Sequence, residues 1–407
     1  MNPAPYLPVK RAAGHAGAFV LSFARLLQRR ARCGAASALA LTLAVASCAT
    51  VGDAAAQQPE REKVTVIKLA SPSSYVDGKL RLTGVNYALE KEGWLKEELA
   101  KHGVTYEWYP IGAATGPQIN EAFASKQIQF GSYGDLPAII LNSNAGNITR
   151  LVVPTSYEDA FLVVPKDSTV ASIEELKGKR LSIHKGRPWE LSLLRLLDSK
   201  KLSYNDFRIF NIEPGPGASA LATGGIDALF TLQAYNLEEK GLGKIIWSTK
   251  GQPPDWKVGI GVWGARDFLE KQPELAQIVV TAYVRAAHWV SRDENREEMV
   301  KIGTVTGVPE SVVRRNYEDP TISWRNRWSP LFAQHVYDHY RVNVDYALDK
   351  KIIRKRVGVE DLIEPRFLTQ ALKDLKLEEY WSREAAPGSS AGASVTPKSE
   401  TPLTLAR

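Results

Sequence analysis

The strongest constraint on this chain is an alternation of short apolar runs with helical stretches, which begins near residue 64 and restarts near residue 160. Residues 64–70 are β-branched and apolar and are broken by Ser71-Pro-Ser-Ser-Tyr75, which predicts a strand followed by a loop. Leu89, Trp94, Leu95 and Leu99 recur at helical spacing within residues 83–102, and Gly103 stops that helix. A strand is predicted over 104–111, a flexible loop over 112–116 and a helix over 117–125. Residues 127–130 predict a third strand ending in the turn-rich Gly131-Ser-Tyr-Gly-Asp135, followed by a helix over 136–144 and a strand over 148–155. Strands separated by helices in this order are the signature of a doubly wound parallel sheet.

The rhythm then repeats. An apolar run over 160–164 precedes a short helix over 172–176 and a strand over 181–184. Lys185-Gly-Arg-Pro188 opens onto a helix over 189–197, and a strand over 207–212 leads into the loop Glu213-Pro-Gly-Pro-Gly217. A helix over 218–223, a strand over 226–230, an exit loop over 231–235 and a strand over 244–247 complete the second unit. Two α/β units of similar rhythm predict two lobes. After residues 258–263 the chain turns helical through about residue 377, with Trp324, Trp328, Phe332, Tyr337 and Tyr340 among the helices. Residues 385–407 are rich in Ser, Pro, Ala and Thr and predict a disordered tail.

The amino-terminal end reads as an export signal. A basic segment with Arg25, Arg29, Arg30 and Arg32 precedes a run of small and apolar residues from 34 onward. That apolar core is about a dozen residues, short of the ~20 needed to cross a bilayer. Val45-Ala46-Ser47-Cys48 fits a lipobox, in which Cys48 would become the lipidated first residue; cleavage near Ala56 is the alternative. Residues 1–47 are then signal peptide and 48–63 a linker. Without the six basic residues of 1–47, the net charge of +7 falls by six to +1, so nothing points to nucleic acid or to an anionic membrane. Membrane contact is expected only through the lipid anchor. Both cysteines, Cys33 and Cys48, lie at this end, which removes disulfide, metal-thiolate and cysteine-nucleophile chemistry from the rest of the chain.

Several local motifs, in order, carry a resemblance. They are Ala88-Leu-Glu-Lys-Glu-Gly-Trp-Leu95, Ile128-Gln-Phe-Gly131 with Gly134-Asp-Leu-Pro137, Ile173-Glu-Glu-Leu-Lys-Gly-Lys-Arg-Leu-Ser182, and Ala220-Leu-Ala-Thr-Gly-Gly-Ile-Asp-Ala228. Their order and spacing over residues 64–270 resemble the sulfonate/nitrate/taurine group of periplasmic substrate-binding proteins of ABC transporters. Gln129 stands where that family usually has Asp, the loop after His184 is more basic and bulkier, and the C-terminal helices are longer and richer in Trp. The resemblance implies an α/β fold of two doubly wound lobes joined by a hinge, a type II periplasmic binding protein, with a helical C-terminal extension. Lobe 1 would span 64–157 and 264–384 and lobe 2 would span 158–263, with hinges near 156–160 and 255–263. It further implies a monomer in the periplasm that closes on a small anion and delivers it to an inner-membrane permease.

Ligands of open α/β sheets bind outside the carboxyl ends of the strands, where loops and helix N-termini converge. The loops at that edge supply the candidates. Lys185, Gly186, Arg187 and Trp189 surround Pro188, which suits the first turn of a helix; an Arg beside free N–H groups fits a carboxylate, sulfonate or phosphate. The alternative is a solvated basic turn. Ser73, Ser74 and Tyr75 follow the first strand, although a Ser-rich turn also serves as a helix cap. Tyr133, Gly134 and Asp135 follow the third strand, with Asp135 suited to cap the next helix. Tyr157, Tyr235 and Trp263 fall near the crossovers and the lobe edge, where core packing is the alternative.

Gly259-Ile-Gly-Val-Trp-Gly264 spells a dinucleotide fingerprint, but a strand runs through its glycines, so it reads as coincidence and as a hinge. His335 and His339 have i, i+4 spacing without the third ligand a zinc site needs, and read as a surface or core pair. Neither a cofactor nor a metal is expected, and no catalytic group stands out. Non-catalytic anion capture leads. The rivals are a pyrimidine-synthesising, thiamine-precursor enzyme on the same fold, which would use a cysteine-rich segment, and a sensor that hands ligand to a receptor.

Overall fold

The computed structural model describes residues 63–111 and 116–382, without the side chains of Ser74 and Tyr75. The predicted signal, Cys48 and the 385–407 tail lie outside the described residues.

Two five-stranded sheets organise these residues. The strands, in chain order, are β1 (Val66–Ala70), β2 (Ser74–Val76), β3 (Lys79–Arg81), β4 (Thr105–Tyr109), β5 (Phe130–Gly134), β6 (Thr149–Glu158), β7 (Phe161–Pro165), β8 (Arg180–Ser182), β9 (Arg208–Phe210), β10 (Ala228–Thr231), β11 (Gly243–Ser248) and β12 (Val258–Ala265). The first sheet runs β4-β1-β5-β12-β6 and the second β11-β7-β10-β8-β9, while β2 and β3 form a separate hairpin. Each large sheet mixes directions. β12 is antiparallel to both β5 and β6, and β7 is antiparallel to both β10 and β11, so the all-parallel sheets expected from the alternation each carry one reversed strand. The reversal follows from the crossovers: β6 passes to β7 through only Asp159 and Ala160, and β11 returns to β12 through residues 249–257.

Other departures have local causes. The helix expected over 83–102 is two, Gly84–Glu92 and Trp94–Lys101, because Gly93 adopts φ 68° between them. Gly131-Ser132-Tyr133-Gly134 read as a turn from its composition but is buried strand. The loop read over 213–217 is the start of helix Pro214–Ala222, where Pro is tolerated because its missing N–H would be unpaired in a first turn anyway. The expected lobe boundary at 263 falls inside β12, a strand of the first sheet.

Apolar faces bury as the pattern requires. A large core gathers around the first sheet and the helices Pro273–Ser291, Gln334–Asp349 and Arg366–Leu375, and includes Ile67, Phe130, Trp263, Val279 and Tyr340. A second core lies within the second sheet, around Leu162, Leu181, Leu197 and Phe230. Helix Glu190–Ser199 joins them, giving Leu191 to the first core and Leu193, Leu196 and Leu197 to the second.

Candidate functional site

The loop that ends β8 holds a buried cation. Arg187 is 4 % exposed, and its Nε and Nη1 are closed off from solvent with no hydrogen-bond partner. Among the described residues it forms no ion pair. Its guanidinium lies over the Trp189 ring, 5.2 Å from the centroid, a cation–π contact. Burial pulls its pKa down to about 10, while the Glu213 carboxylate pulls in the opposite direction. Leaving such a charge without partners is costly.

The loop is built to hold that geometry. Gly186 adopts φ 74°, which favours glycine, and its N–H donates to Glu190 Oε2 at 2.5 Å. Glu190 N–H donates to the Arg187 carbonyl at 2.9 Å, and the Lys185 N–H donates to Asn211 Oδ1 at 2.9 Å. The Tyr204 hydroxyl, 3.0 Å from Glu190 Oε1, braces the same carboxylate, while the exposed Lys185 ammonium lies over the Tyr204 ring. His184 is half-buried with Nδ1 unpartnered; burial first, then the Arg187 cation, holds its pKa below the ordinary value. Ser182 Oγ and Trp189 Nε1 are also buried and unpartnered. Neither His184 nor Ser182 stood out in the sequence, because their significance lies in which atoms lack partners.

Opposite this loop stands the first sheet. A Cβ placed on Gly116 would lie 3.3 Å from Arg187 Nη1, so the N-terminus of helix Gly116–Ala124 faces the guanidinium. The first turn of that helix carries the positive end of its dipole. Gly134 abuts Pro188 so closely that a Cβ there would stand 2.1 Å from Pro188 Cγ. Arg187, Pro188, Gly116, Gly134 and Pro137 therefore meet between the sheets, joining two of the loops singled out from sequence.

The other candidates are placed differently. Ser73 donates its hydroxyl proton to the Ile111 carbonyl at 2.9 Å, pinning two loops of the first sheet. Ser74 and Tyr75 form β2, paired with β3. Tyr133 is a core residue between Phe123 and Trp263, and burial raises its phenol pKa. Trp263 is fully buried, packed on Tyr340, with Nε1 unpartnered. Tyr235 packs on Phe161 and lies under the Arg315 guanidinium, 4.0 Å from its centroid.

Asp135 sits at the root of the lobes. Its Oδ1 accepts from Leu136 N–H at 2.6 Å, and its Oδ2 accepts from Gly259 N–H at 3.0 Å and contacts His339 Nε2 at 2.6 Å. His339 Nδ1 lies 3.2 Å from the Pro254 carbonyl, and Tyr157 meets the His339 ring edge-on at 5.1 Å. His339 is thus a core residue that ties helix Gln334–Asp349 to β12 and to the crossover before it. The fingerprint glycines are explained by the same packing. A Cβ on Gly259 would stand 2.7 Å from His339 Nε2, and one on Gly261 2.3 Å from Leu151 Cδ1, so these glycines permit close approach within a strand.

The family described as NMT1/THI5 like matches residues 112–296. The periplasmic sulfonate-binding protein SsuA of Methylobacillus flagellatus KT, a solved structure, is 45% identical with a TM-score of 0.70, over 80% of this chain and 99% of that one. A Bacillus subtilis protein named for binding aliphatic sulfonates is 22% identical over 291 residues, 70% of this chain and 84% of its own. The desulfurization enzyme DszB shares the fold, with a TM-score of 0.58 at 16% identity over 76% of this chain and 99% of that one.

Proposed function

Since the chain belongs to the periplasmic sulfonate-binding proteins of ABC transporters, we propose that it captures an organic sulfonate between its two lobes and delivers it to the transporter's permease. The observation that carries the site is the buried, unpartnered guanidinium of Arg187, facing a helix N-terminus across the cleft. A sulfonate presents three acceptor oxygens to such donors, and the Arg fork and helix N–H groups can share them. The Trp189 ring supports the guanidinium from one side.

The reading is of non-catalytic capture by a monomer. Binding proteins among the relatives support it, and both cysteines precede the described residues. The relatives favour this reading over the pyrimidine-synthase alternative. Location in the periplasm accords with the relatives, and we read Cys48 as the lipidated residue that anchors the chain. Labelled palmitate should enter the wild-type protein and not Cys48→Ala; label that enters neither leaves the protein free of the membrane.

A thermal-shift screen tests the ligand class, because a ligand that binds only the folded state raises its apparent stability. Ethanesulfonate and larger alkane- or arylsulfonates should raise the melting temperature, with taurine, nitrate, sulfate and carboxylates of equal size as comparisons. A response to nitrate or carboxylates with none to any sulfonate would overturn the reading. Small-angle scattering should show a smaller radius of gyration with saturating sulfonate if the lobes close as a hinge.

A further inference from the structure

We propose that Gly134 is a positioning residue: its missing side chain seats the Pro188 ring and thereby aims Arg187 at the anion, an inference that rests on the sulfonate reading above. Gly134 closes β5 and precedes helix Asp135–Ala145 in the first lobe, whereas Pro188 belongs to the loop after β8 in the second. A Cβ on Gly134 would stand 2.1 Å from Pro188 Cγ and 2.8 Å from Pro188 Cβ, distances that real Cβ contacts do not reach. Pro188 is a rigid ring and cannot swing aside as a long side chain could.

The backbone at Gly134 has φ −76° and ψ 163°, ordinary extended geometry that alanine adopts freely. Nothing local to the chain therefore demands glycine; the demand comes from across the cleft. Arg187 directly precedes Pro188, and its Nη1 lies 3.3 Å from where a Gly116 Cβ would be. A methyl group at Gly134 would push Pro188 outward and carry Arg187 away from the helix N-terminus it faces. Gly116 is hemmed in on its own side as well, since a Cβ there would meet Pro137 Cγ at 2.8 Å. The two glycines thus make room for one cation. A binding site held a little loosely loses much of its strength, because its hydrogen bonds are short and directional.

The test is calorimetric titration of ethanesulfonate into the full chain. Gly134→Ala should fold with a cooperative melt and bind about tenfold or more weakly. Pro188→Gly in the same chain should restore most of the loss by removing the ring that the methyl strikes. In an Arg187→Ala background, Gly134→Ala should cost nothing further, because it acts through Arg187. A purely structural glycine would lower affinity equally in both backgrounds, and that additivity would overturn the proposal. So would wild-type affinity in Gly134→Ala, or loss of the fold. A wild-type chain that binds no sulfonate would end the functional reading and this inference together, whereas wild-type binding without the predicted coupling would end the inference alone.

Discussion

Arg187 and Asp135 are both buried ionisable residues beside the junction of the lobes, yet they are opposites in how they are satisfied. Asp135, 1 % exposed, meets the N–H groups of Leu136 and Gly259 and the ring of His339, which is likewise 1 % exposed. Arg187, 4 % exposed, meets an aromatic face and no acceptor. Burial alone therefore does not separate structure from function here. Their unmet hydrogen bonds differ, and on the reading proposed above the unsatisfied cation costs stability until an anion arrives.

The largest test of this contrast is Asp135→Ala. It strands His339 and the Gly259 N–H without their acceptor, and each buried donor left unsatisfied costs about 1–3 kcal/mol. Urea denaturation should show that loss, with any residual folded protein still binding sulfonate. A loss under 1 kcal/mol would remove Asp135 from the scaffold.

Arg187→Ala should behave in the reverse way. A hydrogen bond from a charged partner is worth ~1.5–3 kcal/mol, so ethanesulfonate affinity should fall by roughly ten- to a hundredfold while apo stability holds. Arg187→Lys should recover part of the affinity, since an ammonium lacks the planar fork. Equal affinity in all three chains would remove Arg187 from the binding site.

Arg187→Met sharpens the comparison further. It keeps length and packing on Trp189 but removes the unpaired charge, and should raise apo stability by about 1–3 kcal/mol while binding is lost. The pH dependence has a definite sign. Arg187 is held below the ordinary guanidinium range, down to about 10, so its charge opposes folding at every pH below about 10, and the penalty fades as pH rises further. The stability difference between Arg187→Met and wild type, followed by denaturation, should therefore be constant from pH 6 to 9 and shrink above about 10. A difference that grows with pH would contradict an unpaired buried cation.

The smallest effect concerns His184. Burial and the Arg187 cation hold its pKa below 6.5, so it is neutral at pH 7 and gains charge only in more acid solution. A sulfonate stays ionised throughout, and a second nearby cation should strengthen its binding by about two- to threefold as pH falls below 6.5. His184→Gln should flatten that profile in titrations from pH 7.5 to 5.

What the sequence disclosed follows the same division. The alternation and the helix that follows the Lys185–Pro188 loop were legible because each rests on residues adjacent in the chain, although Pro188 lies outside that helix, which is capped by Trp189 and begins at Glu190. The Asp135–His339 contact was not, since it joins residues 204 apart and neither has a local pattern that names the other. Gly134 against Pro188 is equally hidden: a glycine at ordinary φ looks like any turn residue until its neighbour across the cleft is known. The β5 residues misled for a related reason, since Gly131-Ser-Tyr-Gly134 has turn composition, but β1 and β12 pair with it on either side. The reversed strands escaped because periodicity reports that a strand exists and says nothing of its direction.

The place of β12 has a consequence for how the molecule comes into being. It is the last strand among the described residues, yet it lies between β5 and β6, which are not neighbours until it arrives. The second sheet is drawn from the unbroken stretch β7 to β11 and can assemble from what has already been made. The first cannot be completed until the whole inserted lobe has followed it out. Pairings across so long a separation form slowly, since the closure entropy must be met before any contact rewards it. A chain with this wiring keeps its first sheet unfinished until residue 265 has been made, and the strand that finishes the sheet is also the one that closes the loop between the lobes.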